Sequence, residues 1–107
     1  MPKDKSLFEL HADVCKTLAN PKRLEILNLL RDGELNVSDL VTRTGLQKAN
    51  ISQHLSVMRA QGILETRREG LNVFYKISNS KVTKACDLMR EVLLQHISRN
   101  HTILKNS

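Results

Sequence analysis

The sequence predicts one mainly α-helical domain that carries a single β-hairpin. Three observations predict it. Apolar residues recur at helical spacing in five separate stretches. The period falls to two only once, after Gly62, in "ILETRRE" and "NVFYKIS". Asn, Pro and Gly stand at the joints, where helices are capped and stopped.

Taken in order, residues 1–5 read as a charged, frayed tail. From Ser6 onward, Leu7, Leu10, Val14 and Leu18 mark a first amphipathic helix, with His11 and Cys15 bordering its apolar stripe. "LANPKRLEILNLLRDG" gives a second helix. Asn20 can cap it, Pro21 suits the first helical position, and Gly33 follows its end. Leu24, Ile26, Leu27, Leu29 and Leu30 make it nearly all core. In "ELNVSDLVTRTG" a short third helix is capped by Asn36, with Asp39 reaching back as in a capping box, and closed by Gly45.

The fourth stretch, "LQKANISQHLSVMRAQG", is unlike an ordinary surface helix. Ile51, Leu55 and Met58 form a stripe for burial, but the opposite face carries Ala49, Asn50, Gln53 and Ser56, where solvated helices carry Lys and Glu. Only "GLQ" separates helices three and four, the spacing of a helix-turn-helix. In the hairpin Val73, Tyr75 and Ile77 share one face, Phe74 and Lys76 the other, and "EGLN" supplies the turn. A last helix runs from 80 to about 99, striped by Val82, Cys86, Met89, Leu93 and His96, and a tail follows from about 100 to 107. Helix, helix, helix, helix, hairpin, helix is a winged helix-turn-helix with an extra helix at each end, in one domain over residues 1–107. The terminal stripes, Leu7, Leu10, Val14 and Leu18 against Val82, Met89 and Leu93, would lie bare on a monomer. They therefore predict a homodimer joined by the first and last helices.

Charge points to the partner. The net charge is +6. Residues 40–84 hold eight basic side chains against two acidic ones, and the rest of the chain has nine of each sign. The whole excess lies around the odd helix, the electrostatic footprint of a polyanion. Aromatics make up only 3%, too few for the stacking platforms that bind single strands. Duplex DNA is the better partner. No apolar run approaches the ~20 residues of a membrane span, and "MPKDKS" is no signal peptide. Those features, with two widely spaced cysteines, predict a soluble chain in a reducing cytoplasm with no membrane partner.

A helix in the major groove must bring its backbone near base edges, which favours small residues, and must offer amides and hydroxyls that read them. Asn50 and Gln53 can each pair bidentately with adenine, and Ala49 can touch a thymine methyl. Ser52 and Ser56 can bond to bases or phosphate. Gln47, Lys48 and Arg59 stand near the helix ends, with the two cations placed for phosphates. Arg67 and Arg68 lead into the hairpin tip and can bind phosphates or enter a narrow minor groove, although strand alternation lets only one of them face DNA. A winged helix that serves as a protein-interaction module needs neither the basic wing nor the amide-rich face. A metal buffer needs more than two cysteines and scattered histidines. For an enzyme, four histidines and 11 acids form no spaced constellation, and a Gly-rich phosphate loop is missing.

"LANPKRLEIL", "ELNVSDL" and "NISQHLSVMRAQGILETRREGLNVFYKIS" together resemble the ArsR/SmtB family of repressors, over roughly residues 8–98. The resemblance implies a homodimer with one recognition helix per subunit, which binds a promoter palindrome and leaves it when an effector binds. The family's effector sites are absent. Where arsenic- and lead-sensing members carry "CVC", this chain has Leu35, Asn36, Val37 and Ser38. The positions matching the zinc ligands are Asn79, Lys81, Val92 and Gln95. Those matching the persulfide-sensing cysteines are Asn28 and Leu94. No metal site or cofactor is assigned. Cys15, Cys86 and His11 remain, with His96 and His101. Cys15 and Cys86 are either small core residues or thiols that meet as a metal site or a redox pair.

Overall fold

A computed structural model describes residues 5–106, with side chains as far as residue 100. The elements are α1 (Leu7–Leu18), α2 (Pro21–Leu29), a 3-10 turn (Leu30–Asp32), β1 (Leu35–Asn36) and α3 (Val37–Thr44). They continue with α4 (Lys48–Ala60), β2 (Leu64–Glu69), β3 (Asn72–Ile77) and α5 (Ser80–Asn106).

Local chemistry sets the joints. Asn20 Oδ1 accepts from the backbone N–H of Lys22 at 2.9 Å and of Arg23 at 3.2 Å, satisfying two orphan donors at the start of α2. At α3 the capping box forms in full. The Asp39 N–H donates to Asn36 Oδ1 at 2.8 Å, and the Asn36 N–H donates to Asp39 Oδ2 at 3.2 Å. Gly45, at φ 74°, turns the chain out of α3 in the left-handed conformation that glycine adopts without steric cost. Thr44 locks the same corner: its hydroxyl donates to Leu40 O at 2.7 Å and accepts from the Leu46 N–H at 3.1 Å. The entry angle of α4 is therefore held by bonds made within seven residues of the chain.

The core is central. Ile26, Leu27, Leu30, Leu40, Ile51, Leu55, Met58, Ile63 and Leu64 are its buried apolar side chains. Each contributes about 1.5–3 kcal/mol when fully buried. Half-buried Leu29, Leu35, Val37, Val41, Leu46, Tyr75 and Ile77 pack around them. Leu24 and Leu29 are half-buried, so α2 is less uniformly core than its composition suggests.

Three features differ from the sequence reading. The wing is not a lone hairpin: β1 adds a third, antiparallel strand in the order β1-β3-β2, pairing Leu35 with Tyr75 and Asn36 with Phe74. Two residues carry no periodicity, so nothing local announces this strand. The last helix runs on to Asn106, where a tail was expected from about 100, because no Pro or Gly interrupts that segment. Lys5, assigned to a frayed tail, reaches Asp13 at 2.6 Å. Residues 1–4 and 107 of the expected tails lie outside the described residues.

Candidate nucleic-acid interface

The recognition surface starts from the buried side of α4. Ile51, Leu55 and Met58 are 0% exposed. Helical geometry then fixes the opposite face outward. Ala49, Asn50, Gln53, Ser56 and Arg59 are all exposed there, as are Gln47 and Lys48 at the start of the helix. Ser52 is half-buried, which leaves it less reach than the others. Among the described residues, none of these outward side chains is held in an ion pair or a side-chain hydrogen bond, so their donors and acceptors remain available. Gln47 stands at the N-cap with no side-chain cap bond, leaving first-turn N–H groups without a side-chain partner. Such groups suit a phosphate.

One residue of α4 that the sequence reading passed over fixes its position. Arg23 Nε donates to His54 Nδ1 at 3.2 Å, and Arg23 Nη1 donates to Thr17 O at 3.0 Å. This arginine therefore ties α4 to α2 and to the end of α1. Burial, helped by the Arg23 charge, pushes the His54 imidazole below its ordinary value of 6.5. At neutral pH the ring is uncharged and accepts from the guanidinium. The sequence signal was a His on the border of a recognition helix, 31 residues from its partner.

The two wing arginines have different fates. Arg67 faces away from the core, its Nε at 3.1 Å from both Glu34 oxygens and its Nη2 also bonded to Glu34. Its Nη1 donates to Glu69 at 2.8 Å, and its guanidinium lies 4.8 Å from the centre of the Phe74 ring. Bonding to the two carboxylates raises its pKa, and the arginine in turn lowers that of Glu34. Arg67, one of the two arginines expected to lead toward DNA, braces the wing against the segment before β1 through these bonds. Arg68 points to the opposite face of the ribbon, the face on which Leu64 is buried, and among the described residues it makes no ion pair.

The residues assigned to a dimer face also divide. Val14, Leu18 and Val82 pack against the protomer's own core, and Leu10 is half-buried. Leu7, Met89 and Leu93 are exposed. The sequence reading missed Phe8, which is 81% exposed, and Leu88, Val92, Leu94 and Ile97, exposed on α5. The stripe it followed turns inward at Val14, Leu18 and Val82, and these exposed residues lie beside it.

Cys15 is exposed and Cys86 half-buried. Both line one apolar cavity of about 350 Å3 between α1, α2 and α5, with Leu18, Leu24, Ala85 and Met89 among its walls. Burial raises the Cys86 pKa, which keeps the thiol protonated. His11 does not line that cavity, and His96 contacts Asn100 at 3.0 Å. His101 lies outside the side chains described. Among the described residues no cluster of His, Cys, Asp and Glu could hold a metal ion, and no helix is long and apolar enough to cross a membrane.

Residues 20–66, from the cap of α2 into β2, match the arsR family of bacterial regulatory proteins. Transcriptional activator HlyU of Vibrio cholerae is 39% identical over 80 residues, covering 75% of this chain and 74% of that protein. The biofilm growth-associated repressor of Agrobacterium fabrum is 35% identical over 78 residues, covering 73% and 67%. The solution structure of the homodimeric winged helix-turn-helix DNA-binding domain of Mb0332 from Mycobacterium bovis superposes with a TM-score of 0.79 at 34% identity, covering 90% of this chain and 89% of that one. With its capped helix-turn-helix and three-stranded wing, the chain belongs to the ArsR family of bacterial regulatory proteins and is a winged helix-turn-helix transcriptional regulator.

Proposed function

We propose that the protein is a homodimeric cytoplasmic repressor that binds a two-fold-symmetric site in duplex DNA. In this reading α4 lies in the major groove and the wing over the adjacent minor groove. The observation that carries it is the outward face of α4: exposed Ala49, Asn50, Gln53 and Ser56 over a stripe buried to 0% exposure. A free amide can satisfy both partners on an adenine edge; a Lys or Glu there would not. Lys48, Arg59 and Arg68 supply the phosphate contacts that set register. The exposed side chains of α1 and α5 support pairing of two copies, as does the homodimeric state named for Mb0332. Two-fold symmetry then sets half-sites about one or two helical turns apart, ~10 or ~20 base pairs between centres. Repression follows where such a dimer covers a promoter.

Selection of bound genomic fragments, followed by transcription of those fragments in vitro, tests this reading. The expected result is enrichment of an inverted repeat and loss of transcript as protein is added. A rise in transcript would make the protein an activator, and enrichment of no common sequence would remove the DNA-reading role.

A second reading concerns the signal. Both thiols line one cavity, so an oxidant or thiophilic metal that enters it meets two sulfurs on different helices. A bond there changes how α1 and α5 pack and thereby the angle between the two recognition helices. The test is DNA affinity of the double variant Cys15→Ser with Cys86→Ser under peroxide and thiophilic metals. If every response of the parent survives in it, both cysteines are packing residues.

A further inference from the structure

Nine large apolar side chains are exposed among the described residues, and eight of them lie on α1 and α5. The ninth is Leu71. It is 102% exposed, at the tip of the wing. The last pair of the ribbon is Glu69 with Asn72, which leaves Gly70 and Leu71 as the two-residue connection. Gly70 has φ +61°, and among the described residues no residue other than glycine has positive φ, so the turn has the glycine-first pattern of tight hairpins. That pattern demands Gly70 and makes no demand for an alkyl chain at the next position. Neither folding nor the exposed faces of α1 and α5 accounts for Leu71.

The surroundings of the tip suit a polyanion. Glu69, the nearest carboxylate, is paired with Arg67 at 2.8 Å, which offsets its repulsion of phosphate. Arg68, three residues before Leu71, makes no ion pair among the described residues. The ribbon thus presents a free guanidinium and, beyond it, a bare alkyl group. Arginine can hold the backbone while an apolar side chain enters the groove, a division of labour seen where proteins contact the minor groove.

We propose that Leu71 is an apolar minor-groove contact that selects A·T pairs beside each half-site. The selection follows from the groove's chemistry. A G·C pair places the guanine 2-amino donor on the groove floor, and an alkyl group pressed there excludes water without offering an acceptor. A·T pairs lack that amino group and let the side chain sit deeper. This proposal rests on the DNA-binding reading above.

The test uses the full-length protein and duplexes carrying its selected site. Hydroxyl-radical footprinting first locates the minor-groove positions the wing protects. Those pairs are then made A·T, G·C or I·C, since inosine removes the 2-amino group and leaves the major-groove edge of guanine. Wild type should bind the A·T and I·C duplexes alike and the G·C duplex about fivefold or more weakly. Leu71→Ser should bind the A·T duplex more weakly than wild type and treat all three alike. Its salt dependence should be unchanged, because no charge is lost. Its melting temperature should equal that of wild type, because the side chain is exposed. Equal wild-type losses on G·C and I·C would overturn the proposal, as would Leu71→Ser that keeps the wild-type preference. Wild type that binds no duplex sequence-specifically would instead overturn the DNA-binding reading on which it depends.

Discussion

Among the described residues, 26–64 hold every buried apolar side chain, whereas the described side chains of α5, residues 80–100, include none. Both regions contain helices with apolar faces, so helix formation does not separate them. The centre is closed by partners within the chain: α2, α3, α4 and β2 cover one another. Among the described residues, α5 is anchored by its first turns, through Val82, Cys86 and the pairing of Asp87 with Arg31 at 2.6 Å. Past that point Leu88, Met89, Val92, Leu93, Leu94 and Ile97 are exposed. The difference teaches that the middle of the chain is a finished reading head, while the ends, on the proposed reading, are half of an interface.

The largest expected effects break that contrast directly. Val92→Glu places a charge in the proposed interface and should cost about 3–5 kcal/mol of association, converting dimer to monomer in sedimentation. Its helical content should persist, because the core does not use Val92. Leu55→Ala should do the reverse, lowering folding stability by about 2–5 kcal/mol in urea unfolding through a cavity at a wholly buried site. If the two variants had the same effects on mass and stability, the division would be wrong.

Smaller effects sharpen the account within the reading head. Gln53→Ala should lose about 1–3 kcal/mol of discrimination at one base position per half-site, measured by competition with single-base variants. The wing arginines should separate. Arg68→Gln should weaken binding to all sequences and flatten its salt dependence, while Arg67→Gln should chiefly loosen the wing, seen as faster amide exchange in β1. The smallest effect is on pH. His54 titrates below 6.5 when folded, so the unfolded chain takes up the proton first as pH falls. Stability from this site is fully present above pH 6.5 and is lost as pH drops through the folded value. His54→Gln should flatten that part of the stability curve, and an unchanged slope would remove His54 from the account.

How much of this was legible depended on distance along the chain. The caps at Asn20 and Asn36, the stop at Gly45 and the buried stripe of α4 are decided within a turn or two. Their signals are therefore contained in short stretches. β1 is two residues long and exists only because β3, nearly 40 positions later, pairs with it. The pairing of Arg67 with Glu34 was hidden because the two lie 33 residues apart. The Arg23–His54 bond escaped for the same reason. On α1 and α5 the stripe at helical spacing was visible, but Val14, Leu18 and Val82 of that stripe face inward. Spacing finds a buried face; it does not say whether the chain's own core or a second copy buries it.

The most direct measurement is sedimentation of the wild-type protein bound to a labelled duplex carrying one selected inverted repeat. A finished reading head on an unfinished interface predicts two protomers per duplex, with Val92→Glu binding the same duplex far more weakly. One protomer per duplex, bound as tightly by Val92→Glu as by wild type, would contradict the account.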